Sequence, residues 1–166
     1  MRRRLPLDPV EEARRHWVER GWEPAADGMA AVMSVMRAQQ ILLSRTESAL
    51  RPLDLTFARY ELLMLLMFSK RGELPMRVIG DRLQVHPTSV SSAVDRLVAA
   101  GLVVRTPNPR DGRAVLVGLT RSGRTSASKA TEVLNAGLFR DAGIPGRRTL
   151  TLIEVLRAMR QRAGDF

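Results

Sequence analysis

Thr88, Ser89, Ser91 and Ser92 put four hydroxyls into five consecutive positions, and Arg96 follows one helical turn later. Such hydroxyls donate to phosphate oxygens and exchange hydrogen bonds with base edges, although they discriminate bases less sharply than arginine or asparagine does. Arg96 is the sharper group. A second cluster lies further on, where Arg110 and Arg113 flank Asp111 in the run Pro107-Asn108-Pro109-Arg110-Asp111-Gly112-Arg113. An arginine projecting from such a turn fits a minor groove. A carboxylate two positions earlier can hold it extended, against the rotamer entropy lost on insertion. Taken singly, the clusters also read as a solvated helix face and a turn charge pair worth at most about 1 kcal/mol.

The surrounding elements give them weight. Pro87 suits the first turn of a helix and Gly101 its exit, while Val90, Ala93, Val94, Leu97 and Val98 recur at helical spacing. That leaves Thr88, Ser89, Ser91, Ser92, Asp95 and Arg96 for an exposed face. After Gly101 the pattern changes: Leu102 to Arg105 and Ala114 to Leu119 are rich in β-branched residues and flank the turn-forming run, which predicts a hairpin with a charged tip. Upstream, Pro75 opens a short helix with Val78, Ile79 and Leu83 facing inward. Gly80 sits inside it, at a cost of about 1 kcal/mol unless a close helix crossing uses the missing side chain. The link Gln84-Val85-His86 joins this helix to the one at Pro87. The pair makes a helix-turn-helix, whose second helix enters a major groove.

The totals agree. The 166 residues carry 27 Lys+Arg against 17 Asp+Glu, a net +10 that favours a polyanionic partner, nucleic acid or an anionic membrane surface. Lys70 and Lys129 are the only lysines, and arginine's planar fork suits phosphates and guanine edges. Without cysteine there is no disulfide, thiol switch or cysteine-ligated zinc, and His16 and His86 are poor material for a metal site. No cofactor is expected. Catalysis lacks parts: there is no phosphate-binding glycine loop and no histidine with an evident nucleophile. No apolar run approaches a membrane span and no signal-peptide core follows the first arginines, so a soluble cytoplasmic protein is expected.

The flanking segments read as long helices. Met1 to Leu7 is a basic arm, and Asp8 caps a helix, with Pro9 at its first position, that runs to Gly21. Trp17 and Trp22 bracket its end, each expected to plug a hydrophobic groove. Met29 to Arg51 carries apolar residues at Met29, Val32, Met33, Met36, Leu43 and Leu50, an amphipathic helix ended before Pro52, whose methionine stripe suits core or a subunit interface. Phe57 to Phe68 is apolar on every side and predicts a buried central helix. Arg121 to Phe139 and Arg147 to Arg162 are the last two helices, the second with Leu152, Ile153, Leu156 and Met159 on one stripe.

PTSVSSAVDRLVAAGLV followed by VRTPNPRDGRAVLVGLTRSGR resembles the recognition helix and wing of the MarR family of bacterial transcriptional regulators. The D-R-L, G-L-V, P-N-P-x-D-x-R and L-T-x-x-G elements occur in order, and the likeness in layout extends over Met29 to Arg162. The resemblance implies a mainly α (α+β) fold, a winged helix-turn-helix with N- and C-terminal dimerisation helices. On that plan residues 1–27 form an arm and an extra helix, 28–55 and 121–166 the dimerisation helices, and 56–120 the DNA-binding lobe. Pro87 to Arg96 would read the major groove and Arg113 the adjacent minor groove. The extra helix is similar to that of the family's urate-responsive branch, to which Trp17 and Glu61 have counterparts; the branch's recognition-helix arginine is replaced here by Ala93, so the ligand signature is incomplete. Family habit implies a small aromatic or phenolic effector in a pocket near Trp17, Tyr60 and Glu61.

The function expected is a homodimeric, sequence-specific repressor of transcription that binds a pseudo-palindromic site in double-stranded DNA and responds to a ligand. A non-specific architectural nucleic-acid binder, acting through net charge alone, is the alternative.

Overall fold

The computed structural model describes residues 5–109 and 111–166, with Gly112 and Arg113 described by their backbone alone. Met1 to Arg4 of the basic arm and Arg110 of the hairpin lie outside the described residues. Asp8 caps α1 (Pro9–Glu19), its carboxylate accepting from the Val10 N–H at 2.9 Å. Gly21, at φ +79°, turns the chain, and α2 (Glu23–Leu50) begins two residues later. The helix expected from Met29 therefore starts earlier, because Pro24 is tolerated in a first turn where its N–H would go unpaired. A division between residues 27 and 28 falls inside this helix. Trp17 and Trp22 do not fill separate grooves as expected: they meet edge to face at 5.3 Å, closing the α1–α2 turn, and Trp22 stays half exposed.

A single tight turn, Arg51–Leu53, and Asp54 at φ +52° end the long helix. Thr56 then caps α3 (Phe57–Met67) by accepting from the Arg59 N–H at 3.3 Å. Leu62, Leu63 and Leu66 are fully buried and α3 is the central helix, but it is not buried on every side as expected: Glu61 and Phe68 are exposed, because only one face of the helix packs on the rest of the core. It is followed by a strand that periodicity did not reveal, β1 (Glu73–Pro75), three residues long and closed by a proline. Next come α4 (Met76–Leu83) and α5 (Pro87–Ala99), then β2 (Val103–Asn108) and β3 (Asp111–Leu119). The sheet is antiparallel in the order β1-β3-β2. Both hairpin strands reach further than their β-branched residues suggest, since Pro107 pairs with Val115 and Asn108 with Asp111 around a bulge.

Thr120 caps α6 (Arg121–Leu134) by accepting from the Gly123 N–H at 2.9 Å, and one widened turn, Asn135–Phe139, extends it. The core gathers Leu63, Ile79, Val94, Leu97, Val117 and Leu134, drawn from α3, α4, α5, the sheet and α6. Helix α7 (Gly146–Arg162) buries none of its own residues. It is held near its ends, where the Arg45 guanidinium donates to the Asp141 carbonyl at 2.8 Å and the Gln84 amide donates to the Asp165 carbonyl at 2.9 Å. Its Leu150, Ile153, Val155 and Met159 are exposed, as are Val32, Met33 and Met36 on α2. No helix among the described residues is long and apolar enough to cross a membrane.

Candidate nucleic-acid interface

Helices α4 and α5 meet through a turn that needs one left-handed residue, and Gln84 supplies it at φ +52°. Gly80 faces Val90 across the crossing; a Cβ built there would lie 3.5 Å from the Val90 Cγ2, so the helices are close but not closed to a methyl group. Pro87 occupies the first turn of α5 as expected. The cap itself is His86, whose Nδ1 accepts from the Thr88 N–H at 3.3 Å. Val90, Val94 and Leu97 anchor α5 in the core, which turns Thr88, Ser89, Ser92, Asp95 and Arg96 to solvent. Val98, expected inward, is exposed at the end of the helix.

The four hydroxyls separate. Thr88, Ser89 and Ser92 line an open cleft of about 550 Å³ with Ala93 and Arg96 and, from the start of α3, Thr56, Ala58 and Arg59. Ser91 is half-buried and lines a different cleft, between α4 and α5, with Met76, Gly80, Asp81 and Gln84. Its carbonyl oxygen lies 3.5 Å from the Arg105 Nη2. The other arm of that guanidinium is paired with Asp95, binding strand β2 of the wing to the recognition helix. Asp111 opens β3 at the wing tip. The Arg113 backbone lies in the same strand, and the contact proposed between its side chain and Asp111 falls outside the described residues.

The three residues expected at a ligand pocket are differently placed. Tyr60 is a core residue, its hydroxyl 3.1 Å from the Thr131 Oγ1 and its ring stacked on Phe57 at 6.3 Å. Glu61 is at the surface, where partial loss of water around its carboxyl pushes its pKa above the ordinary glutamate value. Trp17 is half-buried on α1 beside Trp22.

Sequence reasoning missed Arg105, Arg59 and the His86 cap, and it gave Thr56 a place only as a helix start. Arg105 carried a signal, since a cation at the start of a strand that follows a helix exit by a few residues can fold back on that helix. Arg59 is hidden in a segment whose sequence signal is its apolar content.

The fold has solved counterparts. Sco5413, a MarR family transcriptional regulator from Streptomyces coelicolor, is 49% identical and superposes with a TM-score of 0.78 over 84% of this chain and 97% of that one. The chain belongs to the MarR family. The MarR family model matches residues 53–114, from the end of the tight turn after α2 through the wing tip. Among curated relatives, the HTH-type transcriptional repressor MdtR of Bacillus subtilis is 35% identical over 63 residues, 38% of this chain. The chain spans 41% of that relative's length. CouR of Rhodococcus jostii, solved bound to p-coumaroyl-CoA, is 28% identical, with a TM-score of 0.65 over 75% of this chain and 87% of that one.

Proposed function

We propose that the protein is a sequence-specific, double-stranded-DNA-binding repressor of transcription that acts as a homodimer in the cytoplasm. One observation carries this reading: the second helix of the helix-turn-helix turns Thr88, Ser89, Ser92 and Arg96 outward while Asp95 ties it to the wing through Arg105. Helix and wing then approach a duplex as one unit, the helix in the major groove and the wing, with Arg110, Asp111 and Arg113, over the neighbouring minor groove. Because three hydroxyls and one arginine read bases weakly, DNA shape contributes to the choice of site. Pro87 sets the helix start, and Ser91, half-buried in the cleft between α4 and α5, reaches the duplex from beside the other hydroxyls.

The dimer rests on the apolar stripes of α2 and α7. Leu150 is 72% exposed and Val155 60%, on a helix that its own chain leaves uncovered. A second copy is the natural cover. In this scheme residues 28–55 and 121–166 join the protomers and 56–120 carry the DNA lobe. A small aromatic or phenolic effector, sharing only its phenolic ring with the p-coumaroyl thioester of coenzyme A bound to CouR, would act by favouring a dimer with wrongly spaced recognition helices. Trp17, Tyr60 and Glu61 are the proposed contacts.

The experiment is a selection of duplexes from a random pool, followed by competition against random DNA. A specific regulator prefers its selected site by roughly a thousandfold or more. Equal competition by random duplex would favour the architectural alternative.

A further inference from the structure

We infer that Arg59, at the start of α3, is a phosphate-gripping residue of the interface, clamping the duplex backbone across the cleft from Arg96. The inference rests on the DNA-binding reading above and assigns it a contact from outside both the helix-turn-helix and the wing.

The cleft selects for anions. Arg59 and Arg96 border it, the hydroxyls of Thr56, Thr88, Ser89 and Ser92 complete its polar rim, and no carboxylate lines it. Arg59 is also pre-set. Its Nε donates to the Thr56 Oγ1 at 3.1 Å, and that same oxygen caps the helix by accepting from the Arg59 N–H. One donor of five is spent on fixing the stem, and the Nη groups keep their capacity for an incoming oxygen. Among the described residues neither Arg59 nor Arg96 is in an ion pair, so no carboxylate neutralises either group. Two unneutralised guanidinium groups on one cleft repel each other until an anion lies between them.

The shape favours a polymer backbone. The cleft is open to solvent and runs beside the exposed face of α5, on the α3 flank, while Arg105 and the wing occupy the other flank. A strand laid along the recognition helix would carry a phosphate past Arg59, fixing register without reading sequence.

The test measures DNA affinity against salt for wild type, Arg59→Gln, Arg59→Lys and Arg96→Gln, with circular dichroism as a check on folding. Each phosphate contact contributes about 0.9 to the slope of log affinity on log salt, so Arg59→Gln should lower it by roughly 2 in a dimer. Affinity for the selected site and for random duplex should fall by the same factor. Arg59→Lys keeps the charge but loses the bond to Thr56, so it should keep the wild-type salt slope with an affinity between those of wild type and Arg59→Gln. A wild-type slope in Arg59→Gln would overturn the assignment, and so would an Arg59→Lys whose salt slope falls to that of Arg59→Gln although its charge is kept. Absence of salt-dependent binding by the wild type would overturn the DNA-binding reading itself.

Discussion

Arg105 reaches from the first strand of the wing to Asp95 on the recognition helix, its Nη1 2.5 Å from the Asp95 Oδ1. Helix α5 and the wing are thereby set at a fixed angle, so that on the proposed reading less ordering remains to oppose DNA binding. Both side chains are more than a third exposed or close to it, so the pair adds little to stability. Its effect lies in aim.

A double-mutant cycle separates the two roles. Asp95→Ala and Arg105→Ala should show a coupling of at most about 1 kcal/mol in urea unfolding. Each single variant should nevertheless lose protection of the minor groove beside the recognition helix in a hydroxyl-radical footprint. Unchanged wing protection in Asp95→Ala would mean that the pair does not orient the wing.

Gly123 and Gly80 should behave oppositely. A Cβ at Gly123 would lie 2.0 Å from the Leu102 carbonyl oxygen, a backbone atom held by Thr120. Gly123→Ala is expected to cost about 3 kcal/mol, since the clash falls on backbone that cannot rotate away. Gly80→Ala, with its nearest neighbour at ordinary contact distance, should gain up to about 1 kcal/mol from helix propensity. Thermal or denaturant unfolding checks both.

The residues that bury themselves were legible in the sequence, and those defined by a partner were not. Val90, Val94 and Leu97 fix the face of α5 by periodicity alone, and Asp8, Thr56 and Pro87 mark helix starts through local hydrogen-bond needs. Strand β1 was invisible because three residues ending in proline have no period; β3 makes it a strand. Tyr60 illustrates the limit for sites: family resemblance places it near a ligand pocket, whereas its bond to Thr131, seventy-one residues away, has no signal in the sequence. Arg59 illustrates the converse, a functional candidate concealed in a helix noticed only for its leucines.

Glu61 should give a measurable pH dependence. Its folded-state pKa is raised by desolvation, so the folded protein holds this proton more tightly than the unfolded chain. Its contribution to stability is then greatest below the unfolded glutamate value and declines as pH rises through the folded one. Glu61→Gln should flatten that decline and leave the protein slightly more stable at neutral pH. A pH profile identical to wild type would show that the carboxyl is as well solvated folded as unfolded.

The apolar stripe of α7 should control assembly. Leu150→Glu combined with Val155→Glu places charge on two strongly exposed apolar positions and should leave the core intact. The expected result is a folded monomer by sedimentation, with affinity for the selected site reduced at least a hundredfold. A variant that still sediments as a dimer would place the subunit contact elsewhere.

Footprinting of the wild-type protein on its selected duplex tests the central claim most directly. Two copies of the Arg96 helix, related by a twofold axis, should protect two inverted half-sites centred about one helical turn, roughly 10 base pairs, apart. Minor-groove protection should flank each half-site where the wing lies. An asymmetric footprint from a monomer, or protection that spreads evenly over any sequence offered, would contradict the account.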